Sequence, residues 1–319
     1  MRFLPALFIS TFFCALVIAG FLYYSDLIPQ DSLLRSPIPD TLSKFFYPAF
    51  KKSGYWQPTT QVLKDSHIPI PDLQAKAAIS YDLSENKLLY VKNENEKLPI
   101  ASLTKVMTAI VALENQNESD VITVSKSAAS IGEDSMGLSE GEKIELKYLM
   151  YGLFLQSGND AAEAISQSSK FGREDFIHLM NKKAEDLGLS STHFTNPTGL
   201  EGDGNQYSTT HDLLIITRYA LEKPTIKEVA QTYTYSIPYT STHKAFDLYN
   251  ETNLLTSYPG VKGVKTGYTE EAGLCLITYL EYKGHNIIAI VLNSPSRRDE
   301  MIEILDYSLK LLGETPPKH

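Results

Sequence analysis

Apolar residues recur at two different spacings along this chain, and the switches between them mark out its elements. Apolar runs at Ala77 to Leu83 and Leu88 to Val91 predict two strands joined as a hairpin across Ser84-Glu85-Asn86-Lys87. From Leu103 to Leu113 the spacing becomes helical, and it does so again through Leu146, Leu149, Met150, Leu153 and Phe154. Asn159 to Ser168, Glu174 to Leu187 and His211 to Leu221 predict three more helices, with Gly188 placed to end the second. A tyrosine-rich, β-rich segment follows from Thr232 to Leu248. Strand-like runs then occupy Gly260 to Thr266, Leu274 to Tyr282 and Asn286 to Leu292, the last two separated by Lys283-Gly284-His285. Ser296 is placed to cap a final amphipathic helix through Met301, Leu305, Leu309 and Leu312.

Strands at both ends with helices between them predict an α+β fold. The terminal strands share one largely antiparallel sheet, covered by helices, with a helical subdomain in the middle. This folded part is expected to span residues 72–313, followed by a short tail over 314–319. The chain stops seven residues after Leu312, so no second folded domain is expected beyond it.

The N-terminus has another character. Phe3 to Tyr24 carries no charge, and 22 helical residues at about 1.5 Å each reach roughly 33 Å, enough to cross a bilayer. Residues 1–24 therefore read as a membrane anchor or a signal peptide. The length favours the anchor, although Val17-Ile18-Ala19 before Gly20 offers a cleavage site. Arg2 precedes the run and Asp26 and Asp31 follow it, which places the remainder outside the cytoplasmic membrane. Residues 25–71 hold seven prolines and little apolar periodicity, as a linker would. The aromatic residues within it, from Phe45 to Trp56, are suited either to packing on the domain or to a membrane surface.

Charge and cysteine content narrow the chemistry. Twenty-nine Lys and Arg against 38 Asp and Glu give a net charge of −9, which opposes binding to a phosphate backbone. Cys14 and Cys275 are the two cysteines, so neither a disulfide framework nor a thiolate zinc cluster is expected. The seven histidines show no paired ligand spacing, and no metal or cofactor is indicated.

A serine nucleophile needs a base, and Ser-x-x-Lys on a helix puts both side chains on one face. Ser102-Leu103-Thr104-Lys105 has this form at the opening of a buried helix, whereas Ser84 to Lys87 and Ser241 to Lys244 repeat it in turns or loops. A lysine base must shed its charge, which burial and a nearby cation both promote. Lys265-Thr266-Gly267, closing a strand, supplies such a cation and a glycine where a ligand can come close. Ser157-Gly158-Asn159 sits at a break between two helices, with a hydroxyl to relay a proton and an amide to grip a peptide carbonyl. Gly137-Leu138-Ser139-Glu140-Gly141 matches the nucleophile-elbow pattern, but polar residues precede it and it reads as a loop.

The ordered set Ser102-x-x-Lys105, Ser157-x-Asn159 and Lys265-Thr266-Gly267 resembles the penicillin-binding D,D-peptidases and their serine β-lactamase relatives. Further similarity, to the low-molecular-mass D-alanyl-D-alanine carboxypeptidases, lies in Leu98 to Ala101, Met136-Gly137-Leu138, Asp160-Ala161-Ala162, Asn196-Pro197 and Tyr207-Ser208-Thr209. It covers about Ala75 to Leu312. The resemblance implies Ser102 as the acylated nucleophile, Lys105 as its base and Ser157 as a proton shuttle to the departing D-alanine. It implies Asn159 as a substrate anchor, Lys265 and Thr266 as partners of the terminal carboxylate, and the Ser102 and Tyr268 N–H groups as an oxyanion hole. Arg297 is an additional carboxylate partner, with Arg298 as its rival. The substrates implied are peptidoglycan stem peptides, with β-lactams as acylating inhibitors. The same residues would serve an endopeptidase. A β-lactamase is disfavoured by Gly158 and by the absence of Glu-x-x-Leu-Asn, and a penicillin sensor without turnover is the non-enzymatic alternative.

Overall fold

The computed structural model describes residues 55–170 and 172–319. The expected anchor over 1–24 and the expected linker up to residue 54 lie outside the described residues. Among the described residues no helix is long and apolar enough to cross a membrane.

Five strands form the main sheet: β1 (Ala77–Asp82), β2 (Lys87–Lys92), β7 (Val261–Thr269), β8 (Gly273–Tyr282) and β9 (His285–Ser294). Their order is β2-β1-β9-β8-β7, and every neighbouring pair is antiparallel. The N-terminal hairpin thus joins the C-terminal meander through β1 and β9, with Ile79 opposite Ile290.

The central strand explains why its sequence reads as an unbroken apolar run. Ile288, Ile290 and Leu292 point into a core shared with the helical block, while Ile287, Ala289 and Val291 point into a second core against the C-terminal helix. Side chains alternate between faces, and both faces are covered, so no polar alternation is left to see.

The helical block comprises α1 (Lys105–Asn115), the single turn α2 (Lys126–Ala129), α3 (Leu146–Leu155), α4 (Asn159–Gln167), α5 (Arg173–Asp186), α6 (Thr210–Leu221) and α7 (Pro224–Gln231). Pro224 opens α7, a helix the sequence pattern did not mark, at a position where its missing N–H costs nothing. Two small antiparallel pairs, β3 (Val121–Thr123) with β4 (Lys143–Glu145) and β5 (Thr234–Ile237) with β6 (Phe246–Tyr249), flank the block. A one-turn helix α8 (Leu254–Ser257) leads into β7, and α9 (Arg297–Leu311) closes the fold. Ser296 occupies the position before α9, but its hydroxyl donates to Asp299 Oδ2 at 2.7 Å instead of accepting a backbone N–H. The elbow-like stretch 137–141 is a loop.

From residue 55 the expected linker differs from a free spacer. Trp56 stacks edge-on against Tyr81 with centroids 5.2 Å apart, and the Arg218 guanidinium lies 4.6 Å over the Trp56 ring. Val62 bridges to Leu88, and Leu63 and Ile68 pack on the α9 side of the sheet. Its aromatic and aliphatic side chains find apolar partners there despite the surrounding prolines.

Candidate active site

Ser102 lies on a 3-10 turn, Ala101–Thr104, that runs directly into α1 at Lys105. A 3-10 turn has about three residues per turn, so side chains at i and i+3 eclipse. That brings the Lys105 ammonium nitrogen within 2.7 Å of Ser102 Oγ. Ala101, just before, has φ +47, a left-handed conformation costly for a residue with a Cβ. Gly199 packs beneath it: a Cβ there would lie 2.0 Å from the Ala101 carbonyl oxygen, so only glycine lets the two backbones approach.

Lys105 is fully buried, and Nζ has two further partners, Asn159 Oδ1 at 2.8 Å and the Thr198 carbonyl at 2.7 Å. An ammonium would donate to all three. A neutral amine would donate to Asn159 and Thr198 and accept the Ser102 hydroxyl proton. Burial, and next the positive charge of Lys265, push the Lys105 pKa well below the ordinary lysine value. The neutral count therefore fits, and it is the one a base requires.

The Thr198 carbonyl is a partner that motif reading missed. Asn196 Oδ1 accepts from the N–H groups of Thr198 at 3.1 Å and Gly199 at 2.7 Å, curling the chain so that this carbonyl faces Lys105. Asn196-Pro197 was the one sequence signal, and it carried no indication of what the loop would contact.

Ser157 sits between α3 and α4 with φ +55. It is buried, and its hydroxyl oxygen has no hydrogen-bond partner among the described residues. Asn159 begins α4, its N–H donating to the Asp134 carbonyl at 2.8 Å and its Nδ2 to the Gly132 carbonyl at 3.1 Å. Asp160 fixes the same loop. Its buried carboxylate accepts from the N–H groups of Met136, Gly137 and Leu138 at 2.8–3.0 Å and from Ser135 Oγ at 2.6 Å. Asp160→Ala would strand these donors, and we expect it to lower unfolding free energy by about 2–4 kcal/mol in urea titrations. An unchanged midpoint would mean that the loop is held otherwise.

Strand β7 is an edge strand of the sheet and carries the third motif. Lys265 is buried and donates to the Thr266 carbonyl at 3.0 Å. A Cβ at Gly267 would lie 3.2 Å from the Ser102 nitrogen, so the strand passes close against the nucleophile's turn. Tyr268 follows, its ring exposed. Arg297 reaches the strand, Nη1 donating to the Gly267 carbonyl at 2.8 Å, whereas Arg298 turns toward Ser257 and Asp299. Burial lowers the Lys265 pKa to about 8, offset by the Glu251 and Asp134 carboxylates and reinforced by Arg297.

Asp82, Glu85 and His285 bring together the donor atoms a cation could use, but at the hairpin turns, apart from these motifs. The Asp82 carboxylate there already meets His285 Nδ1 at 2.8 Å and the Ser84 N–H at 2.9 Å.

An antiparallel sheet between helical layers, with a serine–lysine turn beside its edge strand, is the architecture of the serine D,D-peptidases of the penicillin-binding and β-lactamase fold. The crystal structure of the Streptomyces K15 DD-transpeptidase superposes with a TM-score of 0.72 at 32% identity, covering 76% of this chain and 100% of that one. Within that class, the chain belongs to the D-alanyl-D-alanine carboxypeptidase family, peptidase S11, whose family model matches residues 64–296. It is 37% identical over 243 residues to D-alanyl-D-alanine carboxypeptidase DacF of Bacillus subtilis, covering 74% of this chain and 62% of that one. With D-alanyl-D-alanine carboxypeptidase DacB2 of Mycobacterium tuberculosis it shares 30% identity over 251 residues, 76% of this chain and 85% of the other. The match thus spans under two thirds of the Bacillus relative's length.

Proposed function

We propose that this protein is a serine D-alanyl-D-alanine carboxypeptidase that trims the terminal D-alanine from peptidoglycan stem peptides and is acylated by β-lactams. The observation that carries the reading is the Lys105 nitrogen 2.7 Å from Ser102 Oγ, buried and held by Asn159 and Thr198.

Ser102 Oγ attacks the carbonyl carbon of the penultimate D-alanine while Lys105 Nζ takes the hydroxyl proton. The Ser102 and Tyr268 N–H groups receive the developing oxyanion. As the tetrahedral intermediate collapses, the C–N bond breaks and the proton passes to the departing D-alanine amine. Ser157 is suited to carry it, because its hydroxyl has no other hydrogen bond among the described residues. Water then hydrolyses the ester, releasing the shortened peptide and restoring Ser102. Asn159 orients the peptide, and Lys265, Thr266 and Arg297 receive the terminal carboxylate around Gly267.

In the same reading the catalytic domain of residues 72–313 works in the cell envelope, outside the cytoplasmic membrane. Residues 1–24 tether it there, supported by the uncharged run from Phe3 to Tyr24 and by Arg2 on its N-terminal side.

The test is D-alanine release from a stem pentapeptide beside intact mass after incubation with penicillin. Release with a stable adduct supports a carboxypeptidase. Rapid loss of the adduct would indicate a β-lactamase, an adduct without release a sensor, and cleavage of cross-linked dimers alone an endopeptidase.

Lys265→Ala should raise KM for free-carboxylate peptides with a smaller change in kcat, because the lost contact exists before the chemistry begins. In the unaltered protein kcat/KM should fall as pH rises through about 8, where Lys265 loses its charge. An unchanged KM in the variant would remove Lys265 from substrate capture.

A further inference from the structure

Glu251 is the acidic side chain that bonds directly to the expected carboxylate pocket. Thr266 Oγ1 donates to Glu251 Oε2 at 3.4 Å, and among the carboxylates acting on Lys265 that of Glu251 has the largest effect, ahead of Asp134. The same negative charge is felt by Lys105 and Arg297. Its backbone is fixed: the Glu251 N–H donates to the Leu155 carbonyl at 3.1 Å, and Asn250 beside it donates to the Thr232 carbonyl at 3.0 Å and accepts from the Thr252 N–H at 2.9 Å. Leu155 lies two residues before Ser157. The Glu251 carboxylate therefore stands on an exposed side chain that reaches from the Ser157 turn to strand β7.

A threonine hydroxyl has one proton to donate. Thr266 can give it to Glu251 or to the substrate's terminal carboxylate, but not to both. Lys265 and Arg297 each spend one donor on a backbone carbonyl and keep others for an anion.

Resting on the carboxypeptidase reading above, we propose that the Glu251 carboxylate is a resident counter-ion of the carboxylate pocket, seated where the substrate's terminal carboxylate must bind and displaced when it does. Glu251 thereby sets the affinity for substrates ending in a free carboxylate. A contrasting role, in which Glu251 receives an amine of the stem peptide, fits less well, because its carboxylate already accepts from Thr266 Oγ1 and its charge already acts on Lys265 and Arg297.

The experiment compares the unaltered protein with Glu251→Gln and Glu251→Ala on a peptide ending in D-Ala-D-Ala with a free carboxylate, and on its C-terminal carboxamide as a competitive inhibitor. Removing an exposed charge should lower KM for the free acid roughly 2- to 5-fold with kcat nearly unchanged, and leave the carboxamide's inhibition constant unmoved. Glu251→Asp keeps the charge but is one methylene shorter, and its KM should fall between those of Glu251→Gln and the unaltered protein. An unchanged or raised KM for the free acid, or an equal shift for the carboxamide, overturns the proposal. A KM that rises only for peptides bearing a free side-chain amine overturns it in favour of the amine role. Penicillin also carries a carboxylate, and its acylation rate should rise in Glu251→Gln by the same factor. That readout survives even if the unaltered protein releases no D-alanine, so failure of the counter-ion and failure of the carboxypeptidase reading remain separate results.

Discussion

Ser102→Ala should abolish both the penicillin adduct and D-alanine release, a loss on the order of 10⁴-fold or more, because no step can proceed without the attacking oxygen. The fold should survive. Ser102 is nearly buried on a turn whose conformation is set by Ala101, Gly199 and the start of α1, and alanine keeps the Cβ that the turn already accommodates. Lys105 would lose one of three partners and keep Asn159 and Thr198. Intact mass after penicillin treatment and a coupled D-alanine assay read both activities, and thermal unfolding reads the fold. A surviving adduct in a folded variant would move the nucleophile to another residue.

Lys105→Met should be nearly as damaging, with kcat/KM and the penicillin acylation rate falling about 10²- to 10⁴-fold, the usual range for losing a general base. Methionine matches the volume of the buried stem but cannot take a proton. It also leaves Asn159 Oδ1 and the Thr198 carbonyl without their shared donor, so some loss of stability should accompany the loss of rate. The two effects separate on measurement, because a folded variant at a temperature well below its midpoint reports the rate alone. Acylation within a factor of ten of the unaltered protein would mean that another group activates Ser102.

Much of this site could be read from the chain before its shape was known. Ser102 with Lys105, Ser157 with Asn159, and Lys265 with Thr266 are each local in sequence, and the first two sit at predicted boundaries, a helix start and a helix break, whereas β7 runs on to Thr269 and holds the third motif inside the strand instead of at its expected end. Local patterns mark such boundaries well, since the switch from alternating to helical spacing survives any tertiary arrangement. The first helix begins later than its apolar spacing suggests. Residues 101–104 take the tighter 3-10 geometry, which apolar spacing alone does not distinguish from α.

What remained hidden depends on contacts between distant segments. The Thr198 carbonyl reaches Lys105 across 93 positions, and Glu251 meets Thr266 only because Asn250 and Leu155 fix its backbone. Apart from Asn196-Pro197, nothing in the composition around Thr198 or Glu251 sets them apart from ordinary loop residues. The choice between Arg297 and Arg298 was closed to sequence for another reason. Neighbours on a helix point about 100° apart, and which one faces β7 is decided by how α9 lies on the sheet.

Activation of Ser102 requires an unprotonated Lys105 beside it in the resting protein. An NMR titration of protein labelled with ¹³Cε-lysine, with the Lys105 signal assigned by its loss in Lys105→Met, reads that directly. The Lys105 carbon should report a neutral amine at pH values well below the ordinary lysine range. A Lys105 signal that titrates together with the surface lysines would contradict it.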